Sequence, residues 1–162
     1  MKKSAAELPA SAQKVLEAAR ALEFDIDIVE MAESTRTAEE AAAACGCEVE
    51  QIVKSLVFRG AASGTPYLML VAGTHRLNEK SVGEIVGESL VRPDADYVRE
   101  VTGFAIGGVP PFGHASPMKA YLDDFLLCHD VVWAAAGTPR TVFAVSPLEL
   151  ALVLNAESIS VL

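Results

Sequence analysis

Residues 52–59, IVKSLVFR, and residues 67–72, YLMLVA, are the most strand-like stretches of the chain. Both are rich in β-branched and aromatic residues, which favour pleated, half-buried backbone. The segment between them, residues 60–66, is rich in glycine and contains serine and proline, which are typical of turns. The pattern predicts two neighbouring strands joined by a turn, and a sheet built around this pair sets the fold class.

Helix and strand patterns alternate irregularly on both sides of this pair. The spacing of apolar residues, together with capping residues, predicts five helices over residues 11–22, 37–46, 78–86, 93–103 and 146–154. Further strands are expected at residues 26–30, 104–106, 120–122, 131–135, 141–145 and 159–162. Because the order lacks strict βαβ alternation, we predict an α+β (mixed α/β) single domain on one curved sheet.

Length and composition are those of one globular domain. A chain of 162 residues buries enough surface for a hydrophobic core without disulfides or metals. Half of the residues, 51%, are hydrophobic but only 6% are aromatic, so an aliphatic core is expected. We expect residues 1–10 to form a flexible tail and residues 11–162 to form the domain.

The charge of the chain limits the partners it can bind. A net charge of −9 disfavours non-specific binding to nucleic acid, because phosphate contacts need lysine and arginine. Residues 17–50 are strongly acidic, whereas residues 52–92 carry a small basic excess that could face a polyanion; ordinary solvated surface charge explains the same pattern. The absence of a long apolar run, of a secretory signal and of paired cysteines predicts a cytoplasmic protein without a membrane partner.

A glycine- and proline-rich loop, GGVPPFGH at residues 107–114, is the first candidate for a functional site. Gly107 and Gly108 leave backbone amides bare to a ligand, while Pro110 and Pro111 stiffen the loop. Such a loop suits recognition of a carbonyl, a ribose or a phosphate, and a tight structural turn is the alternative. His114 ends the loop and is a candidate for substrate binding.

Lys54 is the second candidate. The two-residue period of a strand places Lys54 on the same face as the apolar side chains of Leu56 and Phe58. A lysine among apolar neighbours either lines a pocket or extends its ammonium to water. His75, in the turn at residues 73–76, could touch a ligand, but an exposed turn histidine is the expectation. Cys45-Gly46-Cys47 alone is too short for a structural zinc site, so no metal or other cofactor is predicted.

Four blocks in a fixed order resemble one known family: TRTAEEAA at residues 35–42, QIVKSLVF at 51–58, GGVPPFG at 107–113 and WAAAG at 133–137. They are similar to the YbaK-type family, which comprises free-standing aminoacyl-tRNA deacylases and the editing domain inserted in bacterial prolyl-tRNA synthetases. The likeness spans roughly residues 11–160. It implies a barrel-like mixed sheet with flanking helices, and hydrolysis of the ester that joins a wrong amino acid to tRNA.

The resemblance also implies residue roles. Lys54 matches the family's essential lysine, which holds the 3′ end of the substrate. Ser55, next to it, varies in the family and is expected to shape the amino-acid pocket. Gly137 matches a turn that closes the other side of the site.

The Gly-x-x-x-Pro loop of the family, whose backbone engages the ester and a hydrolytic water, matches Gly107, Gly108, Val109, Pro110 and Pro111. In some members the thiol of a cysteine substrate attacks the ester instead of water. Pro110 departs from the small polar residue that often precedes the last proline of this loop.

These observations predict a trans-editing hydrolase that deacylates tRNA mischarged with a small amino acid of the Ala, Cys, Ser or Thr class. The expected partner is the acceptor end of aminoacyl-tRNA, with an aminoacyl-tRNA synthetase as a further candidate. The alternative is a catalytically inactive module of the same fold that binds a tRNA end or a nucleotide. The sequence leaves open the amino acid, the tRNA and the oligomeric state.

Overall fold

The computed structural model describes residues 5–162, which form five α-helices around one eight-stranded mixed sheet. The helices are α1 (Ala10–Ala21), α2 (Ala38–Cys45), α3 (Glu79–Val86), α4 (Ala95–Thr102) and α5 (Pro147–Leu154). The strands are β1 (Ile28–Glu30), β2 (Ile52–Gly60), β3 (Pro66–Ala72), β4 (Leu90–Val91), β5 (Lys119–Asp123), β6 (Val132–Ala135), β7 (Thr141–Val145) and β8 (Glu157–Ile159). The predicted mixed α/β single domain is confirmed.

The sheet has the order β1-β7-β6-β2-β3-β5-β8, and β4 pairs with β2 beside this path. The β2–β3 pair is antiparallel, as the turn between them requires, with Lys54 opposite Val71. In contrast, β5 runs parallel to β3 and β6 runs parallel to β2. The ends of β3 and β5 therefore meet at the same edge of the sheet.

One edge of β2 is paired only at its two ends. Strand β6 pairs with Ile52 and Val53, and β4 pairs with Arg59 and Gly60. Among the described strands, none pairs with residues 54–58 on that side, because β3 occupies the opposite edge. The resulting gap between β6 and β4 is where the candidate site lies.

The two faces of the sheet bury two separate clusters. Val53 and Val57 belong to the larger cluster, which also buries one side of α1, whereas Phe58 packs in the smaller cluster with Met69 and Val71. This alternation along β2 is the two-residue period that the sequence predicts.

Most element boundaries follow capping residues seen in the sequence. The Thr37–Glu40 capping box is formed, with the Glu40 amide donating to Thr37 Oγ1 and the Thr37 amide donating to Glu40 Oε1. Gly46 and Gly103 end their helices in the left-handed conformation, with φ of 69° and 83°. Ser146 caps α5 at the predicted position.

Several predictions about individual elements are wrong. Residues 104–106 form no strand and lie in the loop after α4. Helix α4 is capped by Asp94 and begins at Ala95, so Pro93 lies outside its first turn. The last strand ends at Ile159 rather than occupying residues 159–162, and the two-residue β4 has no counterpart among the predicted strands.

Part of the tail predicted over residues 1–10 lies outside the described residues, namely positions 1–4. From Ala5 to Glu7 the chain forms a 3-10 turn, and Leu8 is buried in the larger cluster. Helix α1 then begins at Ala10, one residue before its predicted start.

Candidate functional site

A cavity of about 530 Å³ lies at the gap in the pairing of β2. Its walls come from β2, β6, the segment before and at the start of α2, the 106–109 loop and the residues after β4. These segments are far apart in sequence, and the parallel β2–β6 pairing brings the first two together. The cavity is therefore a product of the sheet topology rather than of a single loop.

Lys54 lies in the wall of this cavity, as the strand period predicts. Its Nζ donates a hydrogen bond to the main-chain carbonyl of His75 in the turn after β3. Partial burial lowers the pKa of Lys54, and the negative charges of Glu39 and Asp123 oppose that shift. The cavity thus has a cation in its wall with one of three N–H donors committed to protein.

Two hydroxyl groups in the cavity wall are buried without a hydrogen-bond partner among the described residues. They are Ser55 Oγ, next to Lys54 on β2, and Thr35 Oγ1, before α2. Buried hydroxyls without partners are uncommon, because each loses its hydrogen bonds to water. Their presence in one cavity wall is a feature of a binding site more than of a packed core.

The glycine-rich loop contributes Gly107 and Val109 to the cavity. Within the described residues, no acceptor is found for the amide of Gly107 or of Val109. Gly107 has a φ of 98°, and a Cβ at this position would lie 2.8 Å from Cγ of Arg36. The glycine therefore lets the Arg36 side chain pass close over the loop.

The backbone amide and carbonyl of Gly108 are both hydrogen-bonded within the protein, so the expectation of a bare amide at Gly108 is wrong. Its N–H donates to Ala105 O at 3.1 Å, and its carbonyl accepts from the Gly137 amide at 2.9 Å. A Cβ on Gly108 would approach the Thr138 backbone to 2.8 Å. Gly108 and Gly137 thus join the glycine-rich loop to the β6–β7 turn, and neither of them lines the cavity.

Pro110, Pro111 and His114 also lie outside the cavity wall. Both prolines are buried. His114 Nε2–H donates to the Pro110 carbonyl at 2.7 Å, and burial lowers the pKa of the imidazole. This hydrogen bond joins His114 to Pro110 within the same loop, away from the cavity wall.

The structure adds residues that the sequence did not single out. Arg92 and Trp133 line the cavity together with Thr35 and Arg36. Arg92 is held over the Phe58 ring, 5.7 Å from its centroid, by a 3.0 Å contact to Glu79. Arg36 and Thr35 could have been found in the 35–42 block, whereas Arg92 has no sequence signal, because β4 is too short to be recognised.

A match to a known family accompanies this geometry. Residues 32–152 match the aminoacyl-tRNA editing domain family. The chain belongs to that family. The matched range contains the cavity and most of the sheet, from β2 to β7.

Three relatives illustrate the range of this editing domain. The uncharacterized protein YwhH of Bacillus subtilis is 34% identical over 125 residues, which is 76% of this chain and 78% of YwhH. A proline–tRNA ligase of Geobacter sulfurreducens is 37% identical over 79 residues, 48% of this chain and 14% of the ligase. A crystal structure of a protein proposed to be a trans-editing enzyme for prolyl-tRNA synthetase superimposes with a TM-score of 0.90 and 48% identity, over 95% of this chain and 98% of that one.

The described part of the chain has neither a metal-binding cluster nor a helix suited to cross a membrane. Residues 5–162 contain no group of three or more His, Cys, Asp or Glu side chains arranged to hold a metal ion. Over the same range, no helix combines the length and apolar character needed to cross a bilayer. Cys45 does not favour thiolate chemistry, since burial and the neighbouring Cys47 raise its pKa to about 12.

Proposed function

We propose that this editing domain is a cytoplasmic deacylase that hydrolyses, in trans, tRNA mischarged with a small amino acid of the Ala, Cys, Ser or Thr class. The observation that carries this proposal is the content of one cavity. Lys54 lines the same 530 Å³ space as Gly107 and Val109, whose backbone amides have no acceptor among the described residues. The likeness to a protein proposed to be a trans-editing enzyme supports action in trans.

The arrangement suits ester hydrolysis by positioning and electrostatics. Lys54 holds the phosphate or ribose of the terminal nucleotide by a charge-assisted hydrogen bond. Water then attacks the ester carbonyl, and negative charge develops on the carbonyl oxygen as the tetrahedral intermediate forms. Amides of Gly107 and Val109 stabilise that charge, because fixed donors in a water-poor site need no reorganisation. The ribose oxygen leaves with the proton that the attacking water gives up, and the free amino acid is released.

The size and lining of the cavity limit the amino acid. Ala41, Ile52 and Ala134 form apolar wall, while Ser55 and Thr35 supply the hydroxyls. A small side chain fits beside the terminal nucleotide in this space. For a cysteine substrate, attack by its own thiol is an alternative to attack by water.

Replacement of Lys54 by methionine tests the proposal. Methionine keeps the length of the side chain and removes its charge, so the fold is retained. We expect kcat/KM for deacylation to fall by about 30- to 800-fold, corresponding to roughly 2–4 kcal/mol of lost transition-state stabilisation. Single-turnover deacylation of a panel of mischarged tRNAs measures this effect and identifies the amino acid.

Lys80→Met is the matched control, because Lys80 is an exposed lysine on α3 outside the cavity. It should leave turnover unchanged. A folded Lys54→Met variant with near-normal turnover would contradict the role of Lys54. Wild-type protein that binds acceptor-end RNA but releases no amino acid from any mischarged tRNA would favour the inactive binding module.

A further inference from the structure

We propose that His75 and Asp123 act as a positioning pair for Lys54, through the main-chain carbonyl of His75. This inference rests on the role of Lys54 in the proposed function. Neither residue lines the cavity, so neither is expected to touch the substrate. They act by fixing the position of the Lys54 ammonium.

The contact between Lys54 and the protein is to backbone, and it depends on the turn after β3. Lys54 Nζ donates to the carbonyl of His75, and the His75 amide in turn donates to Ala72 O at 2.9 Å. A lysine side chain has several rotatable bonds and loses substantial entropy when it is held in one position. A fixed acceptor lowers that cost at the moment of substrate binding, provided that the turn itself is rigid.

Asp123 makes the turn rigid. Its carboxylate is 1% exposed, and its Oδ2 accepts from the Ala72 amide at 3.1 Å and from His75 Nδ1 at 2.8 Å. Its other oxygen accepts from the Phe125 amide at 3.1 Å. The parallel pairing of β3 and β5 explains the geometry, because Asp123 at the end of β5 lies beside the end of β3.

The imidazole is also held by its ring face. The His75 ring stacks on Phe125, with centroids 4.6 Å apart and an interplanar angle of 26°. The hydrogen bond to Asp123 and this stack fix the ring in two directions, so the main-chain carbonyl of the same residue is fixed as well. The His75 side chain therefore anchors the turn, and the main-chain carbonyl of His75 anchors the Lys54 ammonium.

The test compares His75→Ala with the conservative His75→Asn, in which an amide N–H can replace the Nδ1–H donor to Asp123. The probe is an acceptor-stem RNA with alanine joined to its 3′ end by a non-hydrolysable amide. We expect His75→Ala to weaken binding of this probe about tenfold, as misplacement of a positioning group does. In turnover of the corresponding alanyl ester it should raise KM more than it lowers kcat. His75→Asn should restore most of the affinity.

A double-mutant cycle with Lys54→Met separates positioning from general structure. If His75 acts through Lys54, His75→Ala causes no further loss of affinity in the Lys54→Met background. His129→Ala is the matched control, because His129 has the same 18% side-chain exposure as His75 and its ring also contacts Phe125, edge-on with centroids 5.7 Å apart. It should leave affinity unchanged. If His75→Ala does not fold, His75→Phe keeps the ring stack and takes its place.

Two results would overturn the inference: an unchanged affinity in His75→Ala, or an equal loss with and without Lys54. Failure of the proposed function is a different result. In that case the wild-type protein releases no amino acid, or Lys54→Met by itself leaves both binding and turnover unchanged.

Discussion

Thr35 and Thr102 are two buried threonines that differ in their hydrogen bonds. Thr102 is 1% exposed, and its Oγ1 donates to Val98 O at 2.7 Å and accepts from the Phe104 amide at 3.0 Å. Thr35 is 6% exposed, and its Oγ1 has no partner among the described residues. A hydroxyl that is buried without a partner contributes nothing to stability that a methyl group would not.

We therefore expect opposite outcomes for the same substitution. Thr102→Val should lower the free energy of unfolding by about 1–3 kcal/mol, because it leaves partners unsatisfied. Thr35→Val should leave stability unchanged or raise it, while it alters the relative deacylation rates of serine and alanine esters. Denaturant unfolding and a two-substrate assay measure the two effects. A large destabilisation by Thr35→Val would mean that the hydroxyl has a partner in solution and is not available to substrate.

Single residues differ in how far the sequence identifies them. Lys54 is identifiable because a strand has a two-residue period, and its neighbours on that face are apolar. Thr35 and Asp123 are not, because their significance lies in what they meet across the sheet. The position of His75 in a turn predicts an exposed side chain, yet Asp123 and Phe125 cover most of its ring. Asp123 ends β5 and Phe125 follows it in a 3-10 helix, about fifty residues later in the chain.

At the scale of elements, two glycines are required for different reasons: Gly64 for its backbone conformation and Gly108 for lack of space. Gly64 has a φ of 74° and open space around it, so alanine there costs only about 1 kcal/mol of backbone strain. Gly108 has no positive φ, but a Cβ would lie 2.8 Å from the Thr138 backbone. We expect Gly108→Ala to lower the Tm more than Gly64→Ala, and to reduce turnover as the joined loop and turn separate. Thermal unfolding beside single-turnover deacylation tests this. Full stability with lost turnover would instead restore a direct catalytic role to Gly108.

Glu88 fastens the β2–β3 turn to the segment before β4. Hydrogen bonds from the Tyr67 hydroxyl at 2.6 Å and from the Ser63 hydroxyl at 2.7 Å lower the pKa of Glu88 to about 2. A depressed carboxyl pKa stabilises the fold above the unfolded value of 4.5, and this contribution is lost as the pH falls towards 2. Glu88→Gln should therefore lower the Tm at pH 7, and the difference from wild type should shrink between pH 4.5 and 2. Glu84→Gln, an exposed carboxylate on α3, is the control. A difference that stays constant across this range would contradict the linkage.

Elements with local signals were predicted well. Capping residues fixed the starts of α2, α3 and α5, because a cap acts within three residues of itself. Residues 104–106 look like a strand in composition, but Gly103 ends α4 immediately before them and none of the described strands pairs with them. Strand β4 is defined only by its pairing with the edge of β2. Its two residues are too few to show the alternation of apolar and polar residues that predicts a strand.

At the scale of the whole molecule, the gap between β6 and β4 beside β2 is the feature that could not be predicted from the sequence. The pairing of β2 with β6 joins residues about eighty positions apart, and its register leaves residues 54–58 unpaired on one side. Local patterns specify which residues form strands, but register depends on long-range packing. The family resemblance pointed to Lys54, Ser55, Gly107 and Val109, which line the cavity, whereas the topology explains why a cavity exists beside them.

The charge distribution of the whole molecule predicts how it binds RNA. The net charge of −9 makes most of the surface repel a polyanion, while the cavity wall carries Arg36, Lys54 and Arg92 against Glu39. Binding should therefore be confined to the few phosphates of the acceptor end. Neutralising three phosphates of a single strand gives a slope of log K against log salt of about −2. We expect this slope both for an acceptor-stem RNA and for full-length tRNA carrying the same amide-linked alanine.

Variants that remove one cavity cation at a time test the number of phosphates that the cavity neutralises. Arg36→Gln and Arg92→Gln should each make the slope shallower by about 0.7, because each releases one fewer counterion. Arg20→Gln, an exposed arginine on α1 outside the cavity, should change neither the slope nor the affinity. A full-length tRNA slope much steeper than that of the acceptor stem would mean that a second basic surface grips the tRNA body. Since the chain is acidic overall, we expect a steeper slope only when an aminoacyl-tRNA synthetase is added.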